Sequence, residues 1–262
     1  MKSLLKKATP FVLVFSSLAL AAGVISKEEV NKKVAAITAP FNTADSKMQI
    51  VFTALKVDAV RALDFGVSAL VTKKTADSQV AFKVKNASYT YGDGTAPTVK
   101  ADLSLSLDLV KAFGQESLNQ LGTGLEEIAK DVIAQYGEKY GDALALDVKM
   151  IEMKKDGEGN IESAQLRLQG VLDYSKFPAG ADLTQVEFKS FQALLSANKN
   201  GVAAKAQVVL NPQYKGFSKD QQGLKEVIEK LMTEDQQSYE ELTQLAATLD
   251  GIMTYLADQK AE

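Results

Sequence analysis

The chain has 262 residues, with 30 Lys and Arg against 33 Asp and Glu, and it contains no His and no Cys. That excludes a zinc site of the usual ligands, a Ser-His-Asp triad, a Cys-His pair and any disulfide. Only Arg61 and Arg167 are arginines, and an acidic, arginine-poor chain is a poor partner for nucleic acid, because phosphate recognition needs clustered cations.

At the start, Met1, Lys2, Lys6 and Lys7 precede an apolar run from Phe11 to Ala22, and Ala19-Leu20-Ala21 has small-x-small spacing. This pattern predicts an export signal over 1–21, cleaved near Ala21 or Ala22. Its loss removes three lysines and no acid, taking the net charge from −3 to −6. The expected compartment is the periplasm or the medium. No later segment is apolar for long enough to cross a bilayer as a helix, which needs about 20 residues.

Ser26-Lys27-Glu28-Glu29 forms a capping-box pattern, and Val30, Val34 and Ile37 follow at helical spacing. A helix is predicted over 27–38, stopped by Pro40. Strand-like runs come next, over 48–57, 63–74 and 78–91. In the third, Val80, Phe82 and Val84 share one parity while Tyr89 and Tyr91 have the other, so a bulge is expected near Asn86. Gly92-Asp93-Gly94 then turns the chain. From Val99 to Leu109 apolar and polar residues alternate, with Leu103, Leu105 and Leu107 on the apolar face, which predicts a fourth strand.

The period then becomes helical at Leu118, Leu121, Leu125, Ile128, Val132 and Tyr136. Gly122 and Gly124 weaken the first half by about 1 kcal/mol each. Thr123 to Glu126 offers a start at Thr123, and Gly137 suits the C-terminal cap. Alternation resumes at Leu144, Leu146, Val148 and Met150. After turn chemistry at 156–160 it continues through Leu166, Leu168, Gly170 and Leu172. A run over 184–197 starts with Val186 and Phe188 and shifts parity to Phe191, Ala193 and Leu195. Asn200-Gly201 is the strongest hairpin signal. Val202, Ala204, Ala206, Val208 and Leu210 follow, and Pro212 ends the strand. Two helices are expected to close the chain. The first carries Leu224, Val227, Ile228 and Leu231. The second carries Leu242, Leu245, Leu249, Ile252 and Leu256.

These elements predict an α+β protein of long, curved antiparallel sheet packed against amphipathic helices, with a C-terminal helical hairpin. After the signal over 1–21 come an N-terminal helical segment (22–42) and a first ββββα unit (43–137). A second ββββ unit with two helices follows (138–262), and the two units are expected to form one composite domain.

No nucleophile elbow or phosphate loop is present, so no catalytic residue, metal ligand or cofactor is assigned and the chain reads as non-enzymatic. Asp156 to Glu162 places oxygens at alternate positions as a calcium loop does, but Ile161 and Arg167 stand where such a loop needs glycine and glutamate. The segment reads as a hairpin tip. Tyr89, Tyr91, Tyr174 and Phe177 read as a half-buried sheet rim, and Lys73-Lys74 and Lys154-Lys155 as charges that blunt sheet edges. Many inward positions are small: Ala69, Ala101, Ala193, Ala204 and Ala206. They suggest room for an apolar ligand such as a lipid. The expected lining is Phe82, Leu103, Leu105, Leu107, Phe188, Ala204 and Ala206. The alternative expectation is a structural or protein-binding module of the cell envelope.

Overall fold

The computed structural model describes residues 26–57, 63–92, 95–214 and 236–259. The predicted export signal, the residues at 93–94 and the helix expected from Leu224 to Leu231 lie outside them. Helix α1 (Lys27–Thr38) begins at Ser26, whose side chain accepts from the Glu29 N–H, as the capping pattern requires. The strands follow as β1 (Ser46–Val57), β2 (Leu63–Lys74), β3 (Gln79–Gly92) and β4 (Thr95–Ser106). Two helices come next, α2 (Leu109–Phe113) and α3 (Gln115–Tyr140). The second set of strands is β5 (Leu144–Lys155), β6 (Ile161–Leu172), β7 (Phe188–Asn198) and β8 (Gly201–Leu210), and α4 (Gln236–Asp258) closes the described chain.

All eight strands form one open antiparallel sheet in the order β1-β2-β3-β4-β8-β7-β6-β5. Each half of the chain is a four-stranded meander, and the last strands of the two meanders pair with each other. The helices are exchanged between the halves. Helix α3 follows the first meander but packs on β5, β6 and β7, while α4 follows the second and packs on β2, β3 and α1. Only the start of α3, at Leu118 and Leu121, joins the cluster that contains Val71 and Val80 of the first meander. The two halves share one core-bearing face.

That face is defined by parity and by bulges that restore it. Met48 pairs with Val71 and Phe52 with Val67, and a register shift follows Phe52. On β3 the registers with both neighbours shift around Lys85–Asn86. The shift puts Ala87 and Tyr89 on the face that carries Val80, Phe82 and Val84, as the change of parity predicts. The same device works at Lys189, where the register shifts between Phe188 and Ser190 and both Phe188 and Phe191 join one aromatic cluster.

Three boundaries differ from the sequence pattern. Strand β4 stops at Ser106, because Asp108 caps α2 by accepting from the Lys111 N–H at 2.9 Å. Leu107 and Leu109 continue the alternation but are buried as turn and helix residues. Helix α3 starts at Gln115, not Thr123, and runs past Gly137 to Tyr140. Its Gly122 is a contact surface: a Cβ there would lie 2.4 Å from Ile161 Cδ1, so Ile161 of β6 can nest against the helix. On α4 the buried positions are Ala246, Leu249, Met253 and Ala257, and Ile252 is exposed. A straight helix drifts against a seven-residue pattern, so its buried face takes alanines that a leucine count overlooks.

Gly170 of β6 fixes another close approach. A Cβ there would lie 2.3 Å from Phe191 Cε1. That ring is held by Phe188 at 5.2 Å and Tyr136 at 5.8 Å between centroids, so it has little room to retreat. Gly170→Ala is expected to destabilise the protein by about 1–3 kcal/mol through overpacking, read as a lower urea midpoint with an unchanged slope.

Candidate apolar site on the inner face of the sheet

The pairing registers bring four alanines into one row across adjacent strands. Ala87 of β3 pairs with Ala101 of β4. Ala101 pairs with Ala206 of β8, and Ala206 pairs with Ala193 of β7. On one side runs the row Val84, Leu103, Ala204, Leu195. On the other runs Tyr89, Val99, Val208, Phe191. The alanines are half-buried, whereas inward residues nearer the helices, such as Val67, Val71 and Leu166, are buried. Helix α3 lies over β5 to β7 and α4 over β2 and β3. The alanine row crosses β4 and β8 between them and ends at Ala193, which packs against the cluster under α3; in its middle, side chains of one carbon leave the inner face low.

Of the residues expected to line a pocket, Leu103, Ala204 and Ala206 stand on or beside this row. Phe82 pairs with Leu105, and both pack with buried Leu107 in the cluster nearest α2. Phe188 is buried at the other end of the sheet, where its ring meets Tyr136 at 5.7 Å and Tyr140 at 5.6 Å. Three of the seven thus share one place and four belong to packed clusters at either side. Ala87 completes the row, and Val99 and Val208 flank it. Ala87 was legible once the bulge at Asn86 was placed, because it then takes the parity of Tyr89.

The chemistry of these rows is hydrocarbon, apart from one phenol at Tyr89. They hold no carboxylate and no ammonium, so the surface can bind apolar matter and has no general acid or base of ordinary strength. At the aromatic end Tyr174 donates its hydroxyl proton to the Phe188 carbonyl at 3.1 Å. Burial, and then the nearby Tyr140, push the Tyr174 phenol above its usual range, so it stays a protonated donor.

The 156–160 segment is a self-satisfied hairpin tip. Asp156 Oδ1 accepts from the Glu158 and Asn160 N–H groups, each at 2.9 Å, and Oδ2 accepts from Asn160 Nδ2. Gly159 adopts φ +87°, which glycine tolerates. Among the described residues no group of three or more acidic side chains could hold a metal ion. The Asn160 backbone bond, foremost, holds the Asp156 carboxyl below its usual range. A depressed carboxylate supports the tip above its unfolded value of about 3.9 and loses that support as pH falls through its folded value. NMR titration is expected to give a midpoint below that of a free aspartate, with the Glu158 and Asn160 amides shifting in step.

Lys73 of β2 is not at a sheet edge, contrary to the sequence reading. It faces α4 and pairs with Asp250 at 3.2 Å. Lys154 does lie on an edge strand, β5, and pairs with Glu152 at 3.1 Å. On the opposite face of the sheet a shallow depression of about 190 Å³ is lined by Gln49, Val51, Ser68, Leu70, Lys83 and Lys85, among others. It is open and mixed in character, with two lysines on its rim, unlike the alanine row. No described helix is long and apolar enough to cross a membrane. No family model, curated protein or solved structure matches this chain.

Proposed function

We propose that this chain is an exported, non-enzymatic binder of an apolar ligand, with the acyl chain of a lipid as the best-fitting chemistry. The observation that carries the reading is the row Ala87, Ala101, Ala206 and Ala193, half-buried and flanked by Leu103, Val99 and Val208. A low apolar strip between helices, with no charged group on it, gives a hydrocarbon chain a dry surface and demands no specific polar partner. The leader-like pattern at 1–21 supports release into the periplasm or the medium, with cleavage near Ala21 or Ala22. The lack of His and Cys supports carriage over chemistry.

The test is extraction of the natively purified protein with organic solvent, followed by lipid mass spectrometry and titration with a fluorescent fatty acid. The reading expects bound lipid and saturable probe binding. It expects Ala206→Phe, which fills the middle of the row, to weaken the probe at least tenfold while leaving the circular dichroism spectrum unchanged. An empty extract together with no saturable binding overturns it. A second reading, a protein-binding module of the cell envelope, is favoured by one separate feature, the outer edge of β5, which no strand pairs with among the described residues.

A further inference from the structure

The two edges of the sheet are treated differently. On β1, side chains from the α1 region occupy the outer backbone groups. Asn31 accepts from the Phe52 N–H at 2.7 Å and donates to its carbonyl at 3.1 Å. Asn42 accepts from the Met48 N–H at 2.8 Å and donates to its carbonyl at 3.2 Å. Each amide imitates a neighbouring strand, so this edge is obstructed at Met48 and Phe52. At the other end β5 is the last strand. Among the described residues only β6 hydrogen-bonds to its backbone. An edge strand leaves half of its N–H and C=O groups pointing outward.

We infer that β5 pairs with β5 of a second copy of this chain, antiparallel and about a two-fold axis through Val148, joining two sheets into one. The register follows from the sequence of the strand. With Val148 opposite Val148, Asp147 faces Lys149 of the second copy and Lys149 faces its Asp147. On the inner face Leu146 meets Met150 of the second copy. On the outer face Ala145 meets its Ile151. A slip of one residue would set inner side chains against outer ones. A slip of two in either direction would set Asp147 against Asp147 or Lys149 against Lys149, and like charges directly opposite are destabilising. The charges that guard this edge against indiscriminate pairing therefore admit one partner and one register.

Two further observations agree. Ile151 and Val171 are 48% and 55% exposed, among the most exposed large apolar side chains described. Ala145 pairs with Val171 of β6, so in this register Ile151 of the second copy stands on the row of Ala145 and Val171. The arrangement is isologous and closed, since each copy has one such edge and the other edge is obstructed.

Sedimentation equilibrium of the purified protein over a concentration series is expected to show a monomer–dimer equilibrium. Asp147→Lys and Lys149→Asp should each weaken it at least tenfold. Mixing the two variants should recover a heterodimer, because each introduced charge then faces its opposite. Hydrogen exchange of wild-type protein gives an independent reading, with outward amides within 145–151 slowing at least tenfold as concentration rises. A monomer at every concentration, a dimer indifferent to both charge reversals, or β5 exchange independent of concentration overturns the inference. None of these results bears on lipid binding, which is read from extraction and probe titration.

Discussion

Gly201→Ala is expected to cost about 3 kcal/mol or more and to loosen the centre of the sheet first. Gly201 opens β8 with φ +133°, a conformation that L side chains rarely adopt and that costs about 1–3 kcal/mol when forced. A Cβ there would also lie 2.0 Å from the Leu105 carbonyl oxygen. That atom is backbone of the paired strand β4, so no rotamer change relieves the clash. The turn before it docks on the chain leaving β4, with the Leu107 N–H donating to the Asn200 carbonyl and the Leu109 N–H to the Lys199 carbonyl. The variant therefore strains the hairpin and the junction of the two meanders together. Urea unfolding should show the fall in stability, and hydrogen exchange should locate the earliest loss of protection at Leu103–Ser106 and Gly201–Ala204. Gly137→Ala is the control. Nothing lies within 4 Å of its added Cβ, and replacing a mid-helix glycine should stabilise by about 0.5–1 kcal/mol.

Phe52→Ala is expected to cost about 3–5 kcal/mol, the range for removing a fully buried aromatic ring. The Phe52 ring is buried against Phe65, edge-on at 5.7 Å, on the strand against which α1 packs. Its backbone is also the one that Asn31 clamps. Removing the ring leaves a cavity where α1, β1 and β2 meet, so α1 should lose exchange protection before the rest of the protein. Gln49→Ala, on the exposed face of the same strand, should change stability by no more than about 0.5 kcal/mol. Equal effects at both positions would mean that the inner face of β1 is not the buried one.

By itself the sequence determined the strands, their inward faces and several local devices. The strand Leu63–Lys74 and the helix Lys27–Thr38 follow from short-range period and a cap. The bulges at Asn86 and Lys189 follow from changes of parity that a continuous buried face cannot otherwise accommodate. These features depend on neighbours within a few residues, and a chain read locally contains them. Only the tertiary structure decided which strands pair at the centre, which helix covers which half, and where alternation gives way to a cap at Asp108. Every strand here carries an apolar face of the same kind, so its pattern is compatible with several neighbours. The choice depends on how α3 and α4 fill the space above. The alanine row has the same origin: Ala101, Ala193 and Ala206 read as small inward positions in the sequence, but their alignment with Ala87 across β3, β4, β8 and β7 does not. Only the long-range registers, set by packing and by the backbone contact at Gly201, align them across the sheet.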